Sequence, residues 1–128
     1  MKRFISAVAL AVLCIAMLPK YAVAPLPPQC DKLGDVPIER VVRCYAEKYR
    51  VSDARMLATM RCESSLNPLA VGDGGHSYGL SQIHLPSHPS VTKEQAFDPA
   101  FASDFMARQF AAGNARIWTC YRNLFSVK

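Results

Sequence analysis

From Pro37 onward, apolar side chains recur at Ile38, Val41, Val42, Tyr45 and Tyr49, the spacing of one helical face. Val51 breaks that spacing, and Ser52 is the expected N-cap of a second helix running to about Ser64. Asn67-Pro68 closes the stretch, because the residue before a proline is pushed out of the helical region. Residues 69–83 change character: Gly72, Gly74, Gly75 and Gly79 mix with Asp73, Ser77 and Tyr78, a composition that predicts a turn-rich loop or small hairpin. His84 to Ser90, with Pro86 and Pro89, reads as an irregular connector. Asp98-Pro99 supplies an N-cap followed by proline at the first helical position. Phe101, Ala102, Phe105, Met106, Gln109 and Phe110 then continue as a helix with one mainly apolar face. Gly113-Asn114 ends it, and a last short helix carries Ile117, Trp118 and Tyr121. The pattern predicts a small, mostly helical domain with one Gly-rich excursion and no internal repeat.

Upstream the pattern is different. Met1-Lys2-Arg3 is basic, Phe4 to Leu18 is apolar apart from Ser6, and Ala22-Val23-Ala24 offers small residues for cleavage. This is the order of a secretory signal peptide, and the apolar run is short for a membrane span. Cleavage is expected after Ala24, with an uncleaved N-terminal anchor as the alternative. The chain then divides into a signal peptide over 1–24, a Pro-rich extended segment over 25–36 and one domain over 37–128. Cys14 is not expected to be a lipoprotein site, since Val12-Leu13 stand where a small residue is needed.

The leader changes how the composition reads. The 128 residues carry a formal charge of +5 and are 51% hydrophobic, but Lys2, Arg3 and Lys20 all precede the cleavage point. The remainder carries 12 basic and 10 acidic side chains, a net charge of +2, and its hydrophobic share is about 44%. Four of the five cysteines remain: Cys30, Cys44, Cys62 and Cys120. Behind an export signal they read as two disulfides, with three pairings open. Cys30–Cys44 with Cys62–Cys120 is the favoured set: the first pins the N-terminal segment and the second ties a central helix to the C-terminus. A metal site is the weaker reading, because neither CxxC nor HxxxH spacing occurs.

Glu63 is the residue most out of place. It follows Met56 and Met60 at i, i+4 and i+7, so a carboxylate continues an apolar stripe. Lost hydration penalises the charged form of such a group, and a carboxylic acid that keeps its proton is what a general acid in glycoside cleavage needs. The plainer alternative is a frayed helix end with Glu63 solvated or paired to a nearby arginine. The Gly-rich loop that follows, with Asp73, Ser77, Tyr78, Ser81 and Gln82, can bring main chain and short polar groups close to a ligand.

Here the chain resembles a known family. Cys62-Glu63-Ser64-Ser65-Leu66-Asn67-Pro68, then Ala70-Val71-Gly72-Asp73-Gly74-Gly75, then Ser77-Tyr78-Gly79-Leu80-Ser81-Gln82-Ile83, are similar to the lytic transglycosylase (SLT) domain of the lysozyme superfamily. Phe97-Asp98-Pro99 and the Gly113–Trp118 end also match members, so the resemblance spans about residues 37–122. It implies a mainly α, lysozyme-like α+β fold and an exported, periplasmic or extracellular monomer acting on peptidoglycan glycan strands. Glu63 would be the single catalytic acid/base at the β-1,4 bond between N-acetylmuramic acid and N-acetylglucosamine. It would protonate the glycosidic oxygen, then take the proton of the muramyl 6-hydroxyl as that oxygen closes a 1,6-anhydro ring. Ser77, Tyr78, Gln82 and Asp73 would border the substrate, and no metal or cofactor is implied. Many members carry an Ala-Tyr-Asn near the C-terminus whose tyrosine orients the glutamate; that motif is absent, and Trp118 and Tyr121 occupy the region. Tyr121 is then the candidate orienting hydroxyl, and Trp118 a candidate sugar-stacking ring or a core aromatic.

Three other readings bear on function. A hydrolytic lysozyme would use Glu63 with a second carboxylate; Asp73 is the obvious one, while Asp53 and Asp98 are better read as helix caps. A non-catalytic wall-binding module would share the fold but has no need of Glu63. The helices over Glu39–Arg61 imitate a DNA-binding helix-turn-helix, which the export signal, cysteines and modest net charge oppose. His76, His84 and His88 are expected in loops, solvated or bordering a saccharide groove.

Overall fold

The computed structural model describes residues 27–126; the expected signal peptide and Pro25 lie outside the described residues. Helix α1, Ile38–Tyr49, starts behind Pro37 and buries Val41, Val42, Tyr45 and Ala46. It ends where Arg50 turns left-handed at φ 55° and points the chain into α2. Helix α2, Asp53–Ser64, is capped by Ser52, whose hydroxyl accepts the Arg55 N–H at 3.3 Å. Its buried face carries Met56, Leu57, Thr59 and Met60. Ser65 and Leu66 both take left-handed φ values, 54° and 58°, and stop it.

The Gly-rich excursion is a three-stranded antiparallel sheet in the order β1-β2-β3, made of β1 (Val71–Gly72), β2 (Ser77–Tyr78) and β3 (Ile83–His84). Val71 lies opposite Tyr78, and Ser77 opposite His84. Sequence patterning reached only a loop or hairpin here, because strands of two residues have no measurable period. Helix α3, Lys93–Phe97, was not expected, yet Thr92 and Gln95 form a reciprocal capping box at its start. Asp98 then caps α4, Pro99–Ala111, accepting from the Ala100 and Phe101 N–H groups at 2.7 and 3.0 Å. The expected last helix is broken in two: a 3-10 turn over Ala115–Ile117 and, after an extended Trp118, helix α5 over Thr119–Phe125.

Helix α1 lies mainly against α4 and also on α2, while α5 packs on α2. Val42, Met56, Met60, Leu80 and Met106 are sealed from solvent at the centre. The Gly-rich segment is tied down by two buried hydroxyls. Ser64 Oγ donates to the Leu80 carbonyl at 2.9 Å, and Ser81 Oγ to the Ala102 carbonyl at 2.6 Å. Both favoured disulfides form, Cys30–Cys44 and Cys62–Cys120, with Cα separations of 5.7 and 5.8 Å. Closing loops of these lengths stabilises by about 3 and 4 kcal/mol in the chain-entropy account. Among the described residues no helix is long and apolar enough to cross a membrane.

Candidate active site

Glu63 sits half-buried in the last turn of α2. A helix C-terminus collects partial negative charge and is a poor place for an anion. The compensation comes from another element: Glu63 Oε1 accepts the main-chain N–H of Cys120 at 3.1 Å. Cys120 lies in the first turn of α5, where amides have no intrahelical partner, and Trp118 at the N-cap offers no side-chain bond. The carboxylate therefore caps α5 from across the site. Among the described residues Oε2 has no hydrogen-bond partner, and Glu63 makes no ion pair; nearby Arg61 pairs with Glu39 at 3.8 Å instead.

The chain builds a cleft of about 380 Å³ between β3 and the α4–α5 connection. Gln82, His84, His88, Gln109, Ile117 and Trp118 are among the residues that line it. Trp118 is 5% exposed, and its Nε1–H donates to the Ser81 carbonyl at 2.7 Å, pinning the cleft wall to the Gly-rich segment. Glu63 does not line the cleft itself. It is tied to the segments that line it through Ser64 to Leu80, two residues before Gln82, and through Cys120, two residues past Trp118.

The other expected site residues hold the loop's shape. Ser77, 1% exposed, donates its hydroxyl to Asp73 Oδ2 at 2.5 Å. Asp73 itself is exposed in a left-handed turn at φ 50°. The Tyr78 hydroxyl donates to the Gly75 carbonyl; its ring meets Phe97 edge-on, and Lys93 Nζ lies 4.8 Å over its face. Gln82, at φ 46°, donates its amide to the carbonyls of Gly79 and Ala70 at 3.0 and 3.3 Å. A Cβ on Gly72 would fall 2.2 Å from Gln82 Oε1, so a larger residue there would displace the end of the Gln82 side chain.

Tyr121 is not bonded to Glu63. Its hydroxyl accepts from Arg55 Nη1 at 3.3 Å, and its ring packs between Phe110 and Phe125. Arg55 precedes Glu63 by eight residues, about 12 Å along the helix. Together with Arg55, Arg116 and Phe125, Tyr121 lines a separate pocket of about 370 Å³. The group that holds Glu63 is thus a main-chain amide, which no side-chain motif announces, since every residue but proline carries one.

No family model, curated protein or solved structure matches the chain.

His84 and His88 do reach the cleft, with His84 Nδ1 2.8 Å from Ser87 Oγ and His88 edge-on to Phe105 at 5.0 Å. Asp53 and Asp98 take the helix-start roles expected of them. Asp53 accepts the Ala54 N–H at 2.8 Å and pairs with Arg43 at 2.8 Å. The cleft contributions of Gln109 and Ile117 lay outside the sequence reading; 51% exposure of an isoleucine is their one structural signal.

Proposed function

We propose that the protein is an exported peptidoglycan-cleaving lytic transglycosylase with Glu63 as its single acid/base. The observation that carries the reading is a half-buried carboxylate held by one amide, with its second oxygen unengaged, tied through Cys120 and Ser64 to the chain segments that carry Trp118 and Gln82 into a cleft. One oxygen fixes the group and the other remains for proton transfer. With a glycan in the cleft, protonated Glu63 gives its proton to the glycosidic oxygen as the bond to the muramyl anomeric carbon breaks. The resulting carboxylate takes the proton of the 6-hydroxyl, whose oxygen bonds the same carbon. Glu63 returns to its starting state, and water is not consumed. Asp73, already engaged by Ser77, supports assigning the chemistry to one carboxylate. The two disulfides suit an oxidising, extracytoplasmic compartment.

The test is Glu63→Gln. Glutamine keeps an acceptor for the Cys120 amide, so the fold persists while the transferable proton is gone. Release of soluble muropeptides from purified peptidoglycan is expected to fall at least about 10²-fold, with the unfolding midpoint nearly unchanged. Wild-type products should be lighter by one water than hydrolytic ones. Reducing-end products would replace this mechanism with a lysozyme-type hydrolysis, and equal peptidoglycan binding without release by either protein would leave a binding module.

A further inference from the structure

We propose that the Cys62–Cys120 disulfide positions Glu63, acting through the Cys120 amide; as a catalytic statement this rests on the acid/base reading above. Two bonds of different kinds join the same two pieces of chain. Cys62, the residue before Glu63, is covalently linked to Cys120, and Cys120 donates the N–H that Glu63 accepts. The covalent bond spans a sequence separation of 58 residues and holds the Cα atoms at 5.8 Å, which keeps the amide within reach of the carboxylate.

Helix α5 needs that help. It has seven residues, none fully buried, and its N-cap makes no side-chain hydrogen bond. A helix of that length does not persist by its own propensity. Its noncovalent anchors, Tyr121 against Phe110 and Arg55 against Tyr121 and Phe125, grip positions after Cys120. Trp118 Nε1, bonded to Ser81, holds the position two residues before it. Besides the hydrogen bond it positions, the disulfide is the link among the described residues that joins α2 to residue 120 itself. A displacement of about 1 Å at a reacting group can cost about 10²-fold in rate.

The other disulfide is the built-in control. Cys30–Cys44 joins the N-terminal 3-10 turn to α1 and has no contact with the hydrogen bond that holds Glu63. The experiment compares the wild type, C62A/C120A and C30A/C44A, each assayed below its unfolding transition on solubilised glycan strands. Removing Cys62–Cys120 should lower kcat about 10²-fold with KM little changed, while removing Cys30–Cys44 leaves both near wild type. Equal losses in the two variants, or none in C62A/C120A, overturn the proposal.

A second readout needs no activity: the amide proton resonance of residue 120 by NMR. Glu63→Gln should shift it in the disulfide-bonded protein and leave it unmoved in C62A/C120A. An unmoved resonance in the bonded protein, or the same shift in both backgrounds, overturns the positioning role even if C62A/C120A is too unstable for kinetics. A wild type that releases no muropeptide removes the transglycosylase reading while the NMR comparison still decides the positioning.

Discussion

Gly79 is the glycine whose replacement has the most calculable consequence. It lies between β2 and β3 at φ +75°, and a Cβ there would stand 1.7 Å from the Ala96 carbonyl oxygen and 2.8 Å from its carbon. Gly79→Ala therefore combines two costs. The left-handed backbone costs an L-residue about 1–2 kcal/mol. Relieving the clash means moving main chain at the end of α3 by more than 1 Å, an overpacking cost of about 1–3 kcal/mol. The total of about 2–5 kcal/mol is a large part of the roughly 5–15 kcal/mol that holds a domain of this size. It lowers the melting temperature by at least about 8 °C. Gly74→Ala isolates the backbone component, for Gly74 has φ +63° and open space where its Cβ would go. Urea and thermal unfolding under non-reducing conditions, followed by circular dichroism, should show Gly79→Ala weaker than Gly74→Ala by more than about 1 kcal/mol. Equal stabilities would refute the claim that close approach of Ala96 fixes glycine at position 79.

Two further outcomes follow from groups buried nearer the core. Trp118→Phe strands the Ser81 carbonyl that the indole N–H reaches at 2.7 Å. The urea midpoint should drop by the equivalent of about 1–3 kcal/mol before any packing loss; an unmoved midpoint contradicts this. Tyr45 and Tyr49 are held protonated: burial raises both phenols above their ordinary value near 10, and hydrogen bonds to Asp31 at 2.6 Å and Asp104 at 2.8 Å add to it. Below about pH 10 both phenols are neutral folded and unfolded, so they add no pH dependence. Above it the unfolded chain ionises while the folded one keeps its protons, so stability falls as pH rises. Tyrosinate absorbance should then rise in a cooperative step together with loss of helical signal; smooth ionisation of all tyrosines in the intact fold contradicts it.

The helices were legible where chemistry marks their ends. Ser52 and Asp98 cap α2 and α4 as read, and Gly113 takes its left-handed turn just past α4. The periodicity of Ile38 to Tyr49 gave α1 to within a residue. What escaped was short. Helix α3 is five residues long, too few for a period, and only the Thr92–Gln95 capping pair betrays it. The three strands have two residues each and are held by register and by the hydroxyls of Ser64 and Ser81, partners remote in sequence. At the candidate site the exceptional position of Glu63 was visible as a carboxylate on an apolar stripe. Its partner was not, since the Cys120 amide lies 57 positions further along the chain and reaches it only once the intervening chain has folded. Tyr78 and Gln82 were legible as residues of the Gly-rich segment, but their polar ends go to that segment's own carbonyls, a use that residue type does not disclose.

The pairing of Cys62 with Cys120 also sets the protein's covalent topology. Every residue walling the cleft, from Gln82 to Trp118, lies between the two cysteines, so the cleft is contained in a closed ring of chain. One exposed stretch of that ring is the tip at Gly74, Gly75 and His76. A protease cutting there opens the ring without releasing a piece, and both fragments stay joined at the residues flanking Glu63 and donating to it. One nick is then an event that the architecture can absorb, and a second cut within the ring is needed to free any part of the cleft.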